Sequence, residues 1–274
     1  MKILISADME GITGVTTWDQ VTPGQTEYSR FRHVMTADVN AAVRGAFEGG
    51  ADEVVIADGH WNGSNILVEE LDSRAKLNTG SPSPFSMMQG IDQSVDGVIF
   101  VGYHARQGSR MAVLDHTWSS TCIANVWLNE VLAGEYTMNA ALAGHYGLPI
   151  LMATGDQTVC KQMIEQFGAL ETVVVKQGTG RYSAECLPPN ITQQMIEQCA
   201  KHSVQRFLKK DAPPPFMLKA PIKVTVELQT SDMADRAMLL PGVSREDRKL
   251  IFTTEDMPKA YSAFRALVLL SYPR

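Results

Sequence analysis

Lys2-Ile3-Leu4-Ile5-Ser6-Ala7-Asp8-Met9-Glu10-Gly11 opens the chain with an apolar run that breaks off at two carboxylates and a glycine. A short continuous apolar run bounded by turn residues predicts a strand buried on both faces. The same arrangement recurs downstream. Glu53-Val54-Val55-Ile56-Ala57 ends in Asp58-Gly59-His60, and Gly97-Val98-Ile99-Phe100-Val101-Gly102-Tyr103 ends in His104. Ile150–Ala153 leads into Gly155-Asp156, and Thr172–Lys176 follows. Between the first two runs, Phe31, Met35, Val39, Val43 and Ala46 mark a helix from about Glu27 to Glu48, closed by Gly49-Gly50. A short helix is expected over Asn65–Leu71. Buried strands spaced by helices predict an α/β fold: a largely parallel sheet with helices on both faces.

From Ile123 the pattern changes. Ile123–Leu128 and Val131–Ala133 flank Asn129-Glu130, which reads as a hairpin turn, and a helix over Tyr136–His145 stops at Gly147. After a polar helix over Thr192–Lys210, Pro213-Pro214-Pro215 and Pro221 mark a boundary, because proline disrupts both helix and ladder. Beyond it come the alternating run Lys223–Leu228, a second run near Lys249–Thr254 and a final helix over Pro258–Leu270. The expected organisation is a metal-binding α/β catalytic domain over 1–211 and a small C-terminal α+β lobe over 212–274.

With 24 basic against 30 acidic residues the net charge is −6, and 45% of the 274 residues are hydrophobic. That balance argues against a nucleic-acid partner, whose phosphates call for excess Lys and Arg. No apolar run approaches the ~20 residues of a membrane-spanning helix. Asp8 arrives too early for a signal peptide, and Cys122, Cys160, Cys186 and Cys199 form no Cys-x-x-Cys pair, so a cytoplasmic, disulfide-free protein is expected. No Gly-x-Gly-x-x-Gly follows the first strand, which disfavours a dinucleotide site.

In open α/β sheets, function gathers beyond the carboxyl ends of the strands. There this chain places Asp8 and Glu10, then Asp58 and His60, then His104. Asp8 and Glu10, at i and i+2, point the same way if the strand stays extended. Carboxylates with imidazoles and no cysteine suit Zn²⁺, with Mn²⁺ or Co²⁺ also feasible. Taken singly, each residue has a plainer reading as a helix cap, a loop acceptor or a structural histidine. Together they would be costly to gather without an ion to neutralise them. Asp58, in an Asp-Gly turn, is expected at most to support the site from behind. His116 reads as a proton donor or acceptor near the metal or, as spacing alone favours, a loop histidine bonded locally, and Glu135 as a first-turn acid favoured by the helix dipole.

Ser6-Ala7-Asp8-Met9-Glu10-Gly11 resembles the Ser-x-Asp-x-Glu-Gly signature of the bacterial D-aminopeptidases, self-compartmentalising zinc peptidases related to the enzyme of the dipeptide-transport operon. The resemblance continues in order through Asp58-Gly59-His60, Pro84-Phe85-Ser86-Met87, Gly102-Tyr103-His104-Ala105-Arg106, Gly134-Glu135 with Asn139-Ala140, Gly155-Asp156 and Val175-Lys176-Gln177. It thins in the C-terminal lobe. It implies two zinc ions per subunit, held by Asp8 as the bridging carboxylate with Glu10, His60, His104 and Glu135, and His116 as the catalytic histidine. It further implies hydrolysis by a dinuclear zinc hydroxide of short peptides or amides with an N-terminal D-residue of the D-Ala type. The implied assembly is a homodecamer of two stacked five-membered rings.

Two other readings fit the same residues. One is a dinuclear hydrolase of an L-peptide, another amide or a phosphoester, for which Arg106 and Lys176 near strand ends are candidate clamps. The other is a non-catalytic oligomeric binding module, against which the intact ligand set speaks. Met87, Met88, Trp118 and Trp127 are candidates for core or for subunit contacts.

Overall fold

In the computed structural model, which describes residues 1–272, β1 (Lys2–Ala7) lies inside a seven-stranded sheet. It is flanked by β2 (Glu53–Asp58), with β3 (Ala75–Asn78) beyond it, and on its other side by β4 (Gly97–Tyr103). A hairpin of β5 (Ile123–Leu128) and β6 (Val131–Leu132) follows in the chain, before β7 (Ile150–Asp156), β8 (Glu171–Gly180) and β9 (Ser183–Cys186) complete the main sheet. The order is β3-β2-β1-β4-β7-β8-β9, all parallel except β9.

Alternation along β1 divides the core. Ile3, Ile5 and Ala7 face the cluster built with α1 (Tyr28–Gly49) and, later in the chain, the helix Pro189–Leu208; Leu4 joins the cluster on the opposite face. That second face is covered by α2 (Glu135–His145) and α3 (Gln157–Phe167) together with a second sheet. The helix Pro189–Leu208 is thus α4. It lies against α1 so closely that a Cβ on Gly45 would come within 2.1 Å of the Glu197 carbonyl oxygen.

The second sheet is antiparallel and joins distant segments. β10 (Ile222–Leu228) pairs with β5 on one side. Past α5 (Ser231–Ala237) and β11 (Ser244–Glu246), β12 (Lys249–Thr254) pairs with its other side, and α6 (Met257–Ser271) packs behind. The strands after the prolines therefore continue the β5–β6 hairpin. Asn129 and Glu130 both take positive φ, 45° and 70°, as a tight two-residue turn requires.

The helix expected over Asn65–Leu71 shrinks to a single 3₁₀ turn at Val68–Glu70. The amides of Asn65 and Ile66 donate to the Asp58 carboxylate instead, and that of Leu67 to Thr36 Oγ1. α3 is absent from the sequence reading although it has a clear start signal: Asp156 caps it, accepting from the amides of Thr158 and Val159 at 2.9 Å.

Candidate metal centre

The strand numbering runs outward in both directions from the β1–β4 seam, from β1 to β3 on one side and from β4 to β8 on the other. This is the topological switch point, where parallel strand ends splay into a crevice. Asp8 and Glu10 follow β1, His60 lies two residues beyond β2, and His104 follows β4 directly. The three strand ends approach closely because glycines line the seam. A Cβ on Gly11 would lie 1.9 Å from the Tyr103 carbonyl oxygen, and one on Gly102 (φ +72°) 2.3 Å from that of Asp8. Glu135 arrives from another direction, on the first turn of α2, which the β5–β6 hairpin delivers to the crevice. His116 comes from the loop between β4 and β5.

All six side chains are buried. The two oxygens of Asp8 divide between two imidazoles: Oδ1 is 3.3 Å from His60 Nδ1 and Oδ2 is 3.3 Å from His104 Nε2. Glu10 Oε2 is 3.1 Å from His60 Nδ1, and Glu135 Oε1 is 3.1 Å from His104 Nε2. At these separations the atoms touch, yet Asp8 Oδ2, Glu10 Oε2 and His104 Nε2 have no well-formed hydrogen bond among the described residues. Buried polar atoms without partners are rare and costly. Here ligand atoms of Asp8, Glu10 and His104 lie within 4.8 Å of one another, as do those of His104, His116 and Glu135. A cation shared among them satisfies each, so the residues fit a metal. Three carboxylates and two or three imidazoles without sulfur form a donor set suited to zinc.

Main-chain carbonyls fix which nitrogen each ring turns inward. His60 Nε2–H donates to Val21 O (2.7 Å), leaving Nδ1 toward Asp8 and Glu10. His104 Nδ1–H donates to Ala105 O (3.0 Å), leaving Nε2 inward. His116 Nδ1–H donates to Leu114 O (2.8 Å), so its Nε2 is the free base, 3.5 Å from Glu135 Oε1 and 3.9 Å from Glu10 Oε1. Its ring stacks on His104 with centroids 3.9 Å apart.

Burial disfavours charge on all three rings, but neighbours decide the outcome. At His60 it is outweighed by Glu10 and Asp8, and at His104 by Glu135 and Asp8; both pKa values rise well above the ordinary histidine value. Against its own burial, Asp8 is held well below the usual carboxylate range by His104 and His60. His116 goes the other way, lowered by burial and by the adjacent His104. A neutral imidazole with a free Nε2 is suited to accept a proton.

The crevice opens into a cavity of about 400 Å³. Trp18, Trp61, Met87 and Trp118 wall it, and Ser119, Ser120 and Thr121 supply hydroxyls. Met87 and Met88 are buried core, whereas Trp118 is half-buried and rests edge-on against Tyr261 and Phe264 of α6. Trp18 and Trp61 carry no periodic or motif signal and escape the sequence reading. Asp58 stays outside the cluster, with its carboxylate engaged by Asn65 and Ile66. Neither candidate clamp serves a phosphoester. Arg106 bonds Ser109 at the loop surface, and the Lys176 ammonium is buried against main-chain carbonyls behind the site. Among the described residues the cavity lining contains no lysine or arginine.

The loop after β1 is held from behind by a second buried charge. Asp38 Oδ2 accepts from Thr13 N (3.1 Å), and burial pushes its carboxyl up to about 6. Because that folded value lies above the unfolded 3.8, the group favours folding at low pH and loses this contribution as pH rises through 6, a cost of about 3 kcal/mol by pH 8. Asp38→Asn keeps an acceptor for Thr13 and should raise the melting temperature at pH 8 but not at pH 4. Thermal denaturation at the two pH values checks this, and an equal effect at both would contradict it.

A switch-point crevice lined by buried carboxylates and imidazoles, on a mostly parallel α/β sheet, defines the class of metal-dependent hydrolases. The family model described as D-aminopeptidase matches residues 1–266. A D-aminopeptidase of Bacillus subtilis (strain 168) is 32% identical over 273 residues, 99% of this chain and 98% of that one. Among solved structures, the zinc-dependent D-aminopeptidase DppA from Bacillus subtilis, a self-compartmentalizing protease, superimposes with a TM-score of 0.95 at 31% identity, covering 99% of this chain and 98% of the other. The chain belongs to the D-aminopeptidase family.

Proposed function

We propose that this chain is a metal-dependent D-aminopeptidase acting on short peptides or amides with an N-terminal D-residue of the D-Ala type. In this reading Asp8, Glu10, His60, His104 and Glu135 hold two zinc ions, with Asp8 between them, and His116 moves the proton. The observation that carries it is the pair of Asp8 oxygens facing His60 and His104, in a cluster where Asp8 Oδ2, Glu10 Oε2 and His104 Nε2 have no hydrogen-bond partner among the described residues.

When bound, zinc supplies Lewis acidity to the scissile carbonyl and lowers the pKa of a water molecule. The chain's own residues do the rest. The carbonyls of Val21 and Ala105 hold the ligand rings in one tautomer, and both rings must lose a proton before they donate a lone pair. Leu114 O keeps His116 Nε2 free to take a proton and return it to the leaving amine. The indoles of Trp18, Trp61 and Trp118 restrict water and limit the substrate to small peptides. The lining, lacking a cation among the described residues, gives a phosphoester nothing to grip.

We assign catalysis to residues 1–211, which carry every proposed ligand, and support of the Trp118 wall and subunit assembly to residues 212–274. The likeness to a self-compartmentalizing protease supports a closed homo-oligomer, proposed as a homodecamer of two stacked rings in the cytoplasm. No helix among the described residues is long and apolar enough to cross a membrane.

The test is metal content, then hydrolysis of D-Ala and L-Ala p-nitroanilides before and after chelation. Two zinc per chain with chelator-sensitive, D-selective turnover is expected. Metal without D-selective amidase activity would overturn the substrate assignment, and absence of bound metal would overturn the whole reading.

A further inference from the structure

Lys176, on β8, is among the largest fully buried side chains of the protein. Its Nζ donates to the carbonyl oxygens of Glu10 (2.6 Å), Ile12 (2.9 Å) and Val15 (2.8 Å). An ammonium has three protons, so all are engaged by main chain and none is available to a substrate. Burying a charge this deeply is costly, and a methionine would fill similar volume without that cost. Packing alone therefore does not account for a lysine here.

All three carbonyls belong to the loop that follows β1, and the first is Glu10's own. The same peptide unit is gripped on its other side, where Gly11 N donates to Gly102 O at 2.8 Å. The Glu10–Gly11 peptide is thus pinned at its C=O by β8 and at its N–H by β4. Turning that plane would rotate the backbone that carries the Glu10 carboxylate, whose Oε2 lies 3.1 Å from His60 Nδ1.

We propose that Lys176 is a positioning residue for the metal centre, acting through the Glu10–Gly11 peptide to aim the Glu10 carboxylate and thereby set metal affinity. The inference rests on the reading of Asp8, Glu10, His60, His104 and Glu135 as ligands.

The test uses Lys176→Met, which keeps the apolar stem and removes the ammonium. The metal-free wild type and variant are titrated with Zn²⁺ against a chromophoric chelator, and the visible spectrum of each is recorded with Co²⁺. Val204→Ala, a core cavity on α4 remote from the site, sets the baseline for a purely structural loss of stability. The expected result is a folded variant that binds its weaker zinc at least tenfold less tightly and shows an altered Co²⁺ spectrum, while Val204→Ala changes neither. Wild-type affinity and spectrum in folded Lys176→Met would overturn the inference and leave the ligand assignment intact. A wild type that binds no metal would instead remove the ligand assignment itself. Should Lys176→Met not fold, Lys176→Ala is prepared with propylammonium, which replaces the deleted atoms. Joint return of fold and tight zinc binding supports the inference. An amine-loaded folded protein that stays metal-poor, or a chain that the amine does not refold, overturns it.

Discussion

Asp8→Asn should yield a folded chain that retains less than half the wild-type zinc and cleaves D-Ala p-nitroanilide at least ~10³-fold more slowly, about 4 kcal/mol of lost transition-state stabilisation. The reason is that Asp8 is the side chain with one oxygen toward each of two inward-facing imidazoles, 3.3 Å away in both cases. Asparagine fills the same volume but offers one acceptor and one donor, so it can serve only one side and presents N–H bonds to the other. Elemental analysis after gel filtration measures the zinc. Near-wild-type zinc and turnover in the variant would remove Asp8 from its bridging place. Thermal stability is a separate question. The carboxylate is held well below its ordinary pKa by His104 and His60 against its own burial, so in the metal-free chain it favours folding above about pH 4, and that contribution disappears as pH falls through its depressed folded value. Metal-free Asp8→Asn is therefore expected to melt below metal-free wild type at neutral pH.

His116→Ala should do the opposite to the metal: zinc content unchanged, turnover reduced by about 10²–10⁴-fold, the range for loss of a general acid–base group. Its Nδ1 is committed to Leu114 O, its Nε2 faces the cluster, and burial with the adjacent His104 keeps it neutral. Distances alone leave a competing role open, because His116, His104 and Glu135 also form a set of atoms within 4.8 Å. The zinc measurement separates the two: loss of a zinc equivalent in His116→Ala would make it a ligand. Retention of near-normal turnover would remove it from the reaction altogether. A fall in kcat with little change in KM is the pattern expected of a group that acts on the transition state.

Much of the fold was legible because its signals are local. Uninterrupted apolar runs such as Gly97–Tyr103 marked doubly covered strands, Gly49-Gly50 marked the end of α1, and Asn129-Glu130 marked a hairpin. The edge strand β3 was not read, since a half-exposed element such as Ala75–Asn78 lacks an uninterrupted apolar run, and α3 was passed over although Asp156 and the spacing of Val159, Met163 and Phe167 mark it. The Asn65–Leu71 segment misled for a related reason: its amides bond to Asp58 and Thr36, partners that no local pattern reveals. At the site, Asp8, Glu10, His60 and His104 stood out because parallel strand ends share one edge. Glu135 and His116 looked ordinary, a first-turn acid and a loop histidine, and only the family resemblance singled them out. Lys176 was a candidate phosphoester clamp from its place near a strand end, whereas its ammonium is closed off by three carbonyls.

The chain by itself determined an α/β sheet, its buried strands, and the collection of carboxylates and imidazoles at their carboxyl ends, because hydrophobic periodicity and strand-end position are properties of adjacent residues. Tertiary structure alone decided that β1 lies between β2 and β4, so that one carboxylate reaches both His60 and His104. It also decided that a second sheet, assembled from residues about a hundred positions apart, swings Glu135 into the same crevice. Strand order and sheet pairing depend on which distant surfaces bury one another, and that long-range choice turns a list of strand-end residues into a centre with a geometry.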